Sequence, residues 1–152
     1  MIAMVKKRYS ATISGPKAAR GMLVNAPIST KWAVEVASAI RGMPLLKAEE
    51  YLKRVLRHED WIPIRRYKRD VPHRKGVRGG VKSGRYMDKT VRYYLKLIEN
   101  VKNNAQQKGL DLSKLRIVHV SASKGFRRWR IQPMLRRTIR KKSTHVEMVV
   151  SE

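Results

Sequence analysis

Nine Lys or Arg residues lie between Ser121 and Ser143, in the run S-A-S-K-G-F-R-R-W-R-I-Q-P-M-L-R-R-T-I-R-K-K-S, with no Asp or Glu among them. The chemistry open to such a run is anion recognition. Guanidinium and ammonium groups pair with phosphate oxygens, and the flat faces of Phe126 and Trp129 can stack on bases or wedge between them. Like charges at this density repel one another and cannot be buried unpaired, so the run needs a polyanion around it. The candidate contacts are Lys124, Phe126, Arg127, Arg128, Trp129, Arg130, Arg136, Arg137, Arg140, Lys141 and Lys142. Apolar strands on either side predict a long protruding hairpin with Pro133 at its tip. At about 3.3 Å per residue, Ser121 to Pro133 could reach on the order of 40 Å. The plain alternative is a solvated loop between paired strands. Loops beyond about 12–15 residues are usually functional or disordered, and this one also carries aromatics.

Residues 61–86 form a second basic cluster, with nine Lys or Arg and one acid. Its two prolines and four glycines break helix and strand, so it reads as a loop whose bare backbone can approach a phosphate closely. The candidates are Arg65, Arg66, Tyr67, Lys68, Arg69, Arg74, Lys75, Arg78, Lys82 and Arg85, with Tyr86 as a second stacking ring. The bland alternative is a flexible interhelical linker. A P-loop is excluded, because Gly80-Val81-Lys82-Ser83 lacks the Gly-Lys pair and no apolar strand precedes it. A third cluster is the N-terminal arm, residues 1–28. Lys6, Lys7, Arg8, Lys17 and Arg20 there, followed by Lys31, give six bases and no acid over residues 1–31.

Other chemistry is poorly represented. There is no cysteine, which removes disulfides, thiolate metal sites and thiol nucleophiles. The four histidines, His58, His73, His119 and His145, have no ligand spacing, so no metal site and no cofactor is expected. His145 and Glu147 share a strand face, placed to pair with each other or with His119 across the sheet. The acids fall mostly on outer faces or ends of helices. Glu49 and Glu50 sit at i, i+4 from Lys53 and Arg54, which is ordinary surface pairing. No catalytic carboxylate pair and no nucleophile elbow stands out, so no enzyme is expected.

These groups need a body to hold them. The chain has 152 residues, 36 of them Lys or Arg and 11 Asp or Glu, for a net +25. The three basic stretches, 80 residues together, hold 24 of the bases and one acid, which leaves the other 72 nearly neutral. The near-neutral part also carries the periodic apolar pattern and is the expected folded body. A helix follows Ser29-Thr30, with Trp32, Ala33, Val36, Ala37 and Ile40 on one face and Gly42 at its end. A second opens at Pro44, with Ala48, Tyr51, Leu52 and Val55, and runs to about Arg57. A third begins near Met87-Asp88, with Val91, Tyr94, Leu95, Ile98, Val101 and Ala105, and ends at Gly109. Strands are expected at Leu115–Ser121 and Thr144–Val150, the latter as a half-buried edge, and more weakly at Arg8–Ile13. The class is α+β, with three helices on a small antiparallel sheet, in a single domain. No apolar run approaches the ~18 residues of a membrane span, and the N-terminus lacks a secretory pattern, so a cytoplasmic protein is expected.

Several motifs, in order, resemble one family. Ile28-Ser29-Thr30-Lys31 is similar to an I-S-P-K opening of a first helix, and Ile40-Arg41-Gly42 to an I-R-G turn. Ala48-Glu49-Glu50-Tyr51-Leu52 looks like the second helix. Ile62-Pro63-Ile64-Arg65-Arg66-Tyr67 is similar to a V-P-F-R-R-Y insertion, and Gly84-Arg85-Tyr86 to the step before the third helix. Asn104-Ala105, Lys108-Gly109-Leu110-Asp111 and Thr144-His145-Val146-Glu147-Met148 complete the series. Together they resemble the universal large-subunit ribosomal protein L twenty-two family, in its archaeal–eukaryotic branch. At the hairpin tip, Pro133-Met134-Leu135-Arg136-Arg137 keeps the proline and the bases of the family's P-R-A-x-G-R but not its order.

The resemblance implies a structural, non-catalytic protein of the large ribosomal subunit that binds several rRNA domains and joins assembly early. It implies a hairpin that lines the polypeptide exit tunnel near a constriction shared with ribosomal protein L four. Ile131, Gln132, Pro133, Met134 and Leu135 would then be the tunnel-lining tip, beside the nascent polypeptide. The alternative is a DNA-binding or chromosomal architectural protein. That would need a basic recognition helix, and the helices are the least basic part of this chain.

Overall fold

A computed structural model describes residues 9–12, 15–67, 70–72 and 83–152. The elements are β1 (Ala18–Ala26), α1 (Thr30–Ile40), α2 (Leu45–Leu56), β2 (Ile62–Pro63), β3 (Gly84–Arg85), α3 (Asp88–Gln107), β4 (Arg116–Lys124), β5 (Trp129–Gln132), a 3-10 turn (Pro133–Leu135), β6 (Arg137–Arg140) and β7 (Thr144–Ser151). The expected α+β class is the observed one. Strands β1, β7 and β4 form an antiparallel sheet in that order. Helix α1 lies against β4, α3 against β1, and α2 against α3.

Each helix forms where its apolar spacing puts one stripe into the common core. Ala33, Val36, Ala37 and Ile40 of α1 are buried, as are Leu45, Ala48, Leu52 and Val55 of α2. Helix α3 buries Val91, Tyr94, Leu97, Ile98, Val101 and Ala105. These side chains meet Val146, Met148 and Val150 of β7 in one core, where each large side chain is worth about 1.5–3 kcal/mol. The Tyr94 hydroxyl donates to the Ala33 carbonyl at 2.7 Å, and burial of the ring raises its phenol pKa well above the ordinary range. Gly42 and Gly109 end α1 and α3 at φ +79° and +71°, a region most side chains avoid. Ser29 occupies the position before α1, but its side chain makes no capping bond.

Three strand expectations are corrected. The third strand of the sheet is Ala18–Ala26, not Arg8–Ile13. Tyr9–Thr12 are not in a strand, and Arg8 and Ile13 lie outside the described residues. Much of the expected N-terminal arm is therefore β1. Its Ala- and Gly-rich sequence is a poor strand former, and pairing with β7 supplies the order. Gly21 also lets α3 come close, since a Cβ there would stand 2.5 Å from Val101 Cγ2. Strand β7 is the centre of the sheet and not its edge, with partners on both sides and Val149 buried on the outer face. Finally, the 61–86 loop begins and ends in structure. Ile62 and Pro63 pair with Arg85 and Gly84, and Ile64 N–H donates to the Ser83 carbonyl at 3.0 Å. Among the described residues, no helix is long and apolar enough to cross a membrane.

Candidate nucleic-acid interface

The hairpin continues outward from the sheet as a separate strand pair across a short step. After a register shift between Ile117 and His119, strands β4 and β7 pair as far as Lys124↔Thr144, and β5 and β6 pair from Trp129↔Arg140 to Gln132↔Arg137. Between them, residues 125–128 face only residues 141–143. Hydrogen bonds from Gly125 N–H to the Ser143 carbonyl (3.0 Å) and from Lys141 N–H to the Arg128 carbonyl (2.9 Å) bridge the gap. The extra residue is a bulge, which bends and twists the ribbon beyond it. At the tip, the Pro133–Leu135 turn leads into Arg136, which is left-handed at φ +45° and donates its N–H to the Pro133 carbonyl.

Register solves the charge problem inside the ribbon. The facing pairs are Trp129 with Arg140, Arg130 with Ile139, Ile131 with Thr138 and Gln132 with Arg137, so no two arginines stand directly opposite. The Arg140 guanidinium lies 5.0 Å from the Trp129 ring centre. Lys124, Phe126, Arg128, Trp129, Arg130, Ile131, Pro133, Met134, Leu135, Arg136, Arg137, Arg140, Lys141 and Lys142 are exposed, Met134 at 94%, and Arg127 and Gln132 are half-buried. Arg127 Nε and Gln132 Oε1 are shielded from solvent yet have no hydrogen-bond partner, an unusual state for polar atoms. Among the described residues, ion pairs engage Lys53, Arg54, His58, Lys102, Lys114 and His119, and none of these lies in the ribbon.

A root of polar contacts fixes the ribbon to the body. Asn25, left-handed at φ +53°, accepts at Oδ1 from the Phe126 N–H (3.3 Å) and the Ser143 hydroxyl (3.1 Å). Its own N–H donates to His145 Nδ1 at 3.1 Å. Beside it the buried Thr144 hydroxyl donates to the Ile28 carbonyl at 2.9 Å and lies 2.8 Å from the Thr30 hydroxyl. Sequence reading missed Asn25. Asn before Ala-Pro is a general turn signal, and nothing local says that the turn will meet residues a hundred positions away.

The second cluster is organised by an acid in the early turns of α1. Glu35 is only 2% exposed. Its Oε1 accepts from the backbone N–H groups of Arg66 (2.9 Å) and Tyr67 (2.7 Å), and its Oε2 from that of Arg65 (3.0 Å). Three amides of the basic segment thus converge on one buried carboxylate, and the Arg65 and Arg66 side chains are left exposed. Tyr67 is half-buried, flanked by Lys31 Nζ at 5.8 Å and the Arg66 guanidinium at 5.4 Å from its ring centre. Arg85 is half-buried on β3. Lys68, Arg69, Arg74, Lys75, Arg78 and Lys82 lie outside the described residues, as do Lys6, Lys7 and Arg8.

Of the N-terminal candidates, Lys17 is exposed just before β1, and Arg20 on β1 sits 5.6 Å from the Tyr9 ring centre. On the same outer sheet face, Glu147 pairs with His119 across the sheet at 3.2 Å, while His145 accepts from the Asn25 N–H. The Ser10 N–H (3.0 Å) and hydroxyl also donate to Glu147. Burial pushes the Glu147 carboxyl pKa up, but these hydrogen bonds outweigh it and hold the pKa below the ordinary value. Helix α3 adds a stripe absent from the sequence reading: Lys89, Arg92 and Lys96, at i, i+3 and i+7, are all exposed. Their helical spacing was a usable signal.

The surface defines a class: a small α+β body that carries exposed cations on its strands and turns and on a paired β5–β6 ribbon. Residues 22–151 match a family model described as "Ribosomal protein L22p/L17e". Relatives called "Large ribosomal subunit protein uL22" occur in Ignicoccus hospitalis, 43% identical over 90% of this chain and 89% of theirs, and in Hyperthermus butylicus, 42% identical over 95% and 96%. One in Methanothrix thermoacetophila is 40% identical over 98% of this chain and 99% of its own. The chain belongs to the ribosomal protein L22p/L17e family, and so to the proteins of the large ribosomal subunit.

Proposed function

We propose that this protein binds large-subunit rRNA in the cytoplasm as a structural constituent without catalytic activity, helps that rRNA to assemble, and extends its ribbon along the polypeptide exit tunnel. The observation that carries this reading is the ribbon itself. Among the described residues no carboxylate pairs with its cations, its apolar side chains are exposed, and two of its polar atoms lack hydrogen-bond partners. RNA supplies the phosphates, the stacking faces and the mixed donors and acceptors that would satisfy all three. In this reading Lys124 to Lys142, with Lys17, Arg20, Lys31, Arg65, Arg66 and Arg85, neutralise phosphates. The tip from Ile131 to Leu135 lines the tunnel beside ribosomal protein L four and the nascent polypeptide.

The test is binding of the full chain to large-subunit rRNA fragments across a salt series, with duplex DNA as competitor. Affinity should fall with a log–log slope of about 0.7 per single-stranded phosphate contact, or about 0.9 per duplex contact. In a sucrose gradient the protein should travel with large subunits. Salt-independent binding, preference for DNA, or persistent absence from the large-subunit fractions would each defeat the proposal.

A further inference from the structure

A cavity of about 330 Å3 opens where the base of the 61–86 segment meets α1 and the start of α3. Trp32, Tyr67 and Tyr86 supply aromatic walls, Val71 adds apolar surface, and Lys31 and Arg85 bring positive charge. We propose that this cavity receives one unpaired nucleobase of an RNA strand, with the adjoining phosphates on Lys31 and Arg85. The inference deepens the rRNA-binding reading and rests on it.

Three observations converge on a nucleotide. The volume is at the small end of ligand sites, about 300–1,000 Å3, which suits a single planar group. The walls are also set in advance. Tyr86 stacks on His58, ring centres 4.3 Å apart and 15° from parallel, and His58 Nε2 stands 3.3 Å from the Asp88 carboxylate. Tyr67 is held through its backbone N–H on Glu35 and lies between Lys31 and Arg66. Lastly, the charge fits an anion next to the planar group. Glu35 also lines the cavity, but both its oxygens accept backbone N–H groups, which answers its charge. An apolar side chain of a neighbouring protein would fill the walls and leave Lys31 and Arg85 unanswered, whereas a nucleotide satisfies both.

The experiment compares full-length protein bound to single-stranded oligouridylate and to an abasic ribose-phosphate oligomer of equal length, with photocrosslinking of 4-thiouridine-substituted RNA mapped by mass spectrometry. The expected result is several-fold tighter binding of the base-bearing strand and crosslinks at Trp32, Tyr67 or Tyr86. Tyr67→Ala should remove most of that several-fold base preference, because the stacking face that carries it is gone. Val71→Trp, which fills the cavity and leaves every cation in place, should do the same. Circular dichroism melts confirm that both variants fold. RNA binding with crosslinks confined to the hairpin, and a base preference indifferent to both variants, would overturn the inference and leave the wider reading standing. A chain that binds neither oligomer nor rRNA fragments would overturn both.

Discussion

Glu35 shows how one residue can decide the shape of a binding surface. A buried carboxylate is tolerable when donors satisfy it, and here three consecutive amides do so. The same contact curls the Arg65–Tyr67 backbone so that the Arg65 and Arg66 side chains face outward while Tyr67 lines the cavity. Glu35→Ala removes the common acceptor of three donors, and stability measured by urea unfolding should fall by about 2–3 kcal/mol. Binding to rRNA should weaken as well, although no phosphate contact has been removed. Glu147 carries the pH dependence. Its carboxylate form accepts from Ser10 and His119, beside Tyr9 and Arg20, so its pKa lies below the ordinary 4.5 of a glutamate. Its stabilisation is complete above that value and is lost as pH falls through the lowered native pKa. Urea midpoints followed from neutral pH into the acid range should show this slope in the natural protein and a flatter one in Glu147→Gln.

Among the elements, the β5–β6 ribbon depends on register. Three arginines share eight residues, and the pairing places each opposite an uncharged partner. Ile139→Arg would set a second guanidinium directly across from Arg130. The ribbon should fray by about 0.2–1 kcal/mol, seen as faster amide exchange at Ile131 and Thr138, while the melting of the body stays unchanged. Strand β1 depends on a missing side chain. Gly21→Val would drive methyl groups into Val101 and Leu97 of α3, so a loss of about 1–3 kcal/mol in thermal or urea unfolding is expected. The failed strand expectation at Arg8–Ile13 belongs to this scale too. Alternation favoured the wrong segment because Ala, Arg and Gly in β1 carry little local strand preference. What selects them is a partner strand from the far end of the chain.

At the scale of the whole molecule, core and contact surface are separate. No residue of the ribbon from Phe126 to Lys142 belongs to the hydrophobic core. Replacing residues 126–142 with a short turn should therefore leave the unfolding of the body nearly unchanged, read by circular dichroism, and remove most of the affinity and salt dependence of rRNA binding. Composition and periodicity made much of this legible. Charge segregation marked the cationic surfaces because electrostatic repulsion acts whatever the fold. The three helices were readable because i, i+3 and i+4 spacing is a local code for a buried stripe. The hairpin was readable because the strands that flank it are close in sequence. Local patterns could not show that Thr144–Ser151 would be the central strand, that Asn25 would fasten the root of the ribbon, or that Glu35 would be buried beneath Arg65–Tyr67. Each of those depends on groups distant along the chain, and only burial in three dimensions makes an unpaired donor or acceptor costly enough to select them.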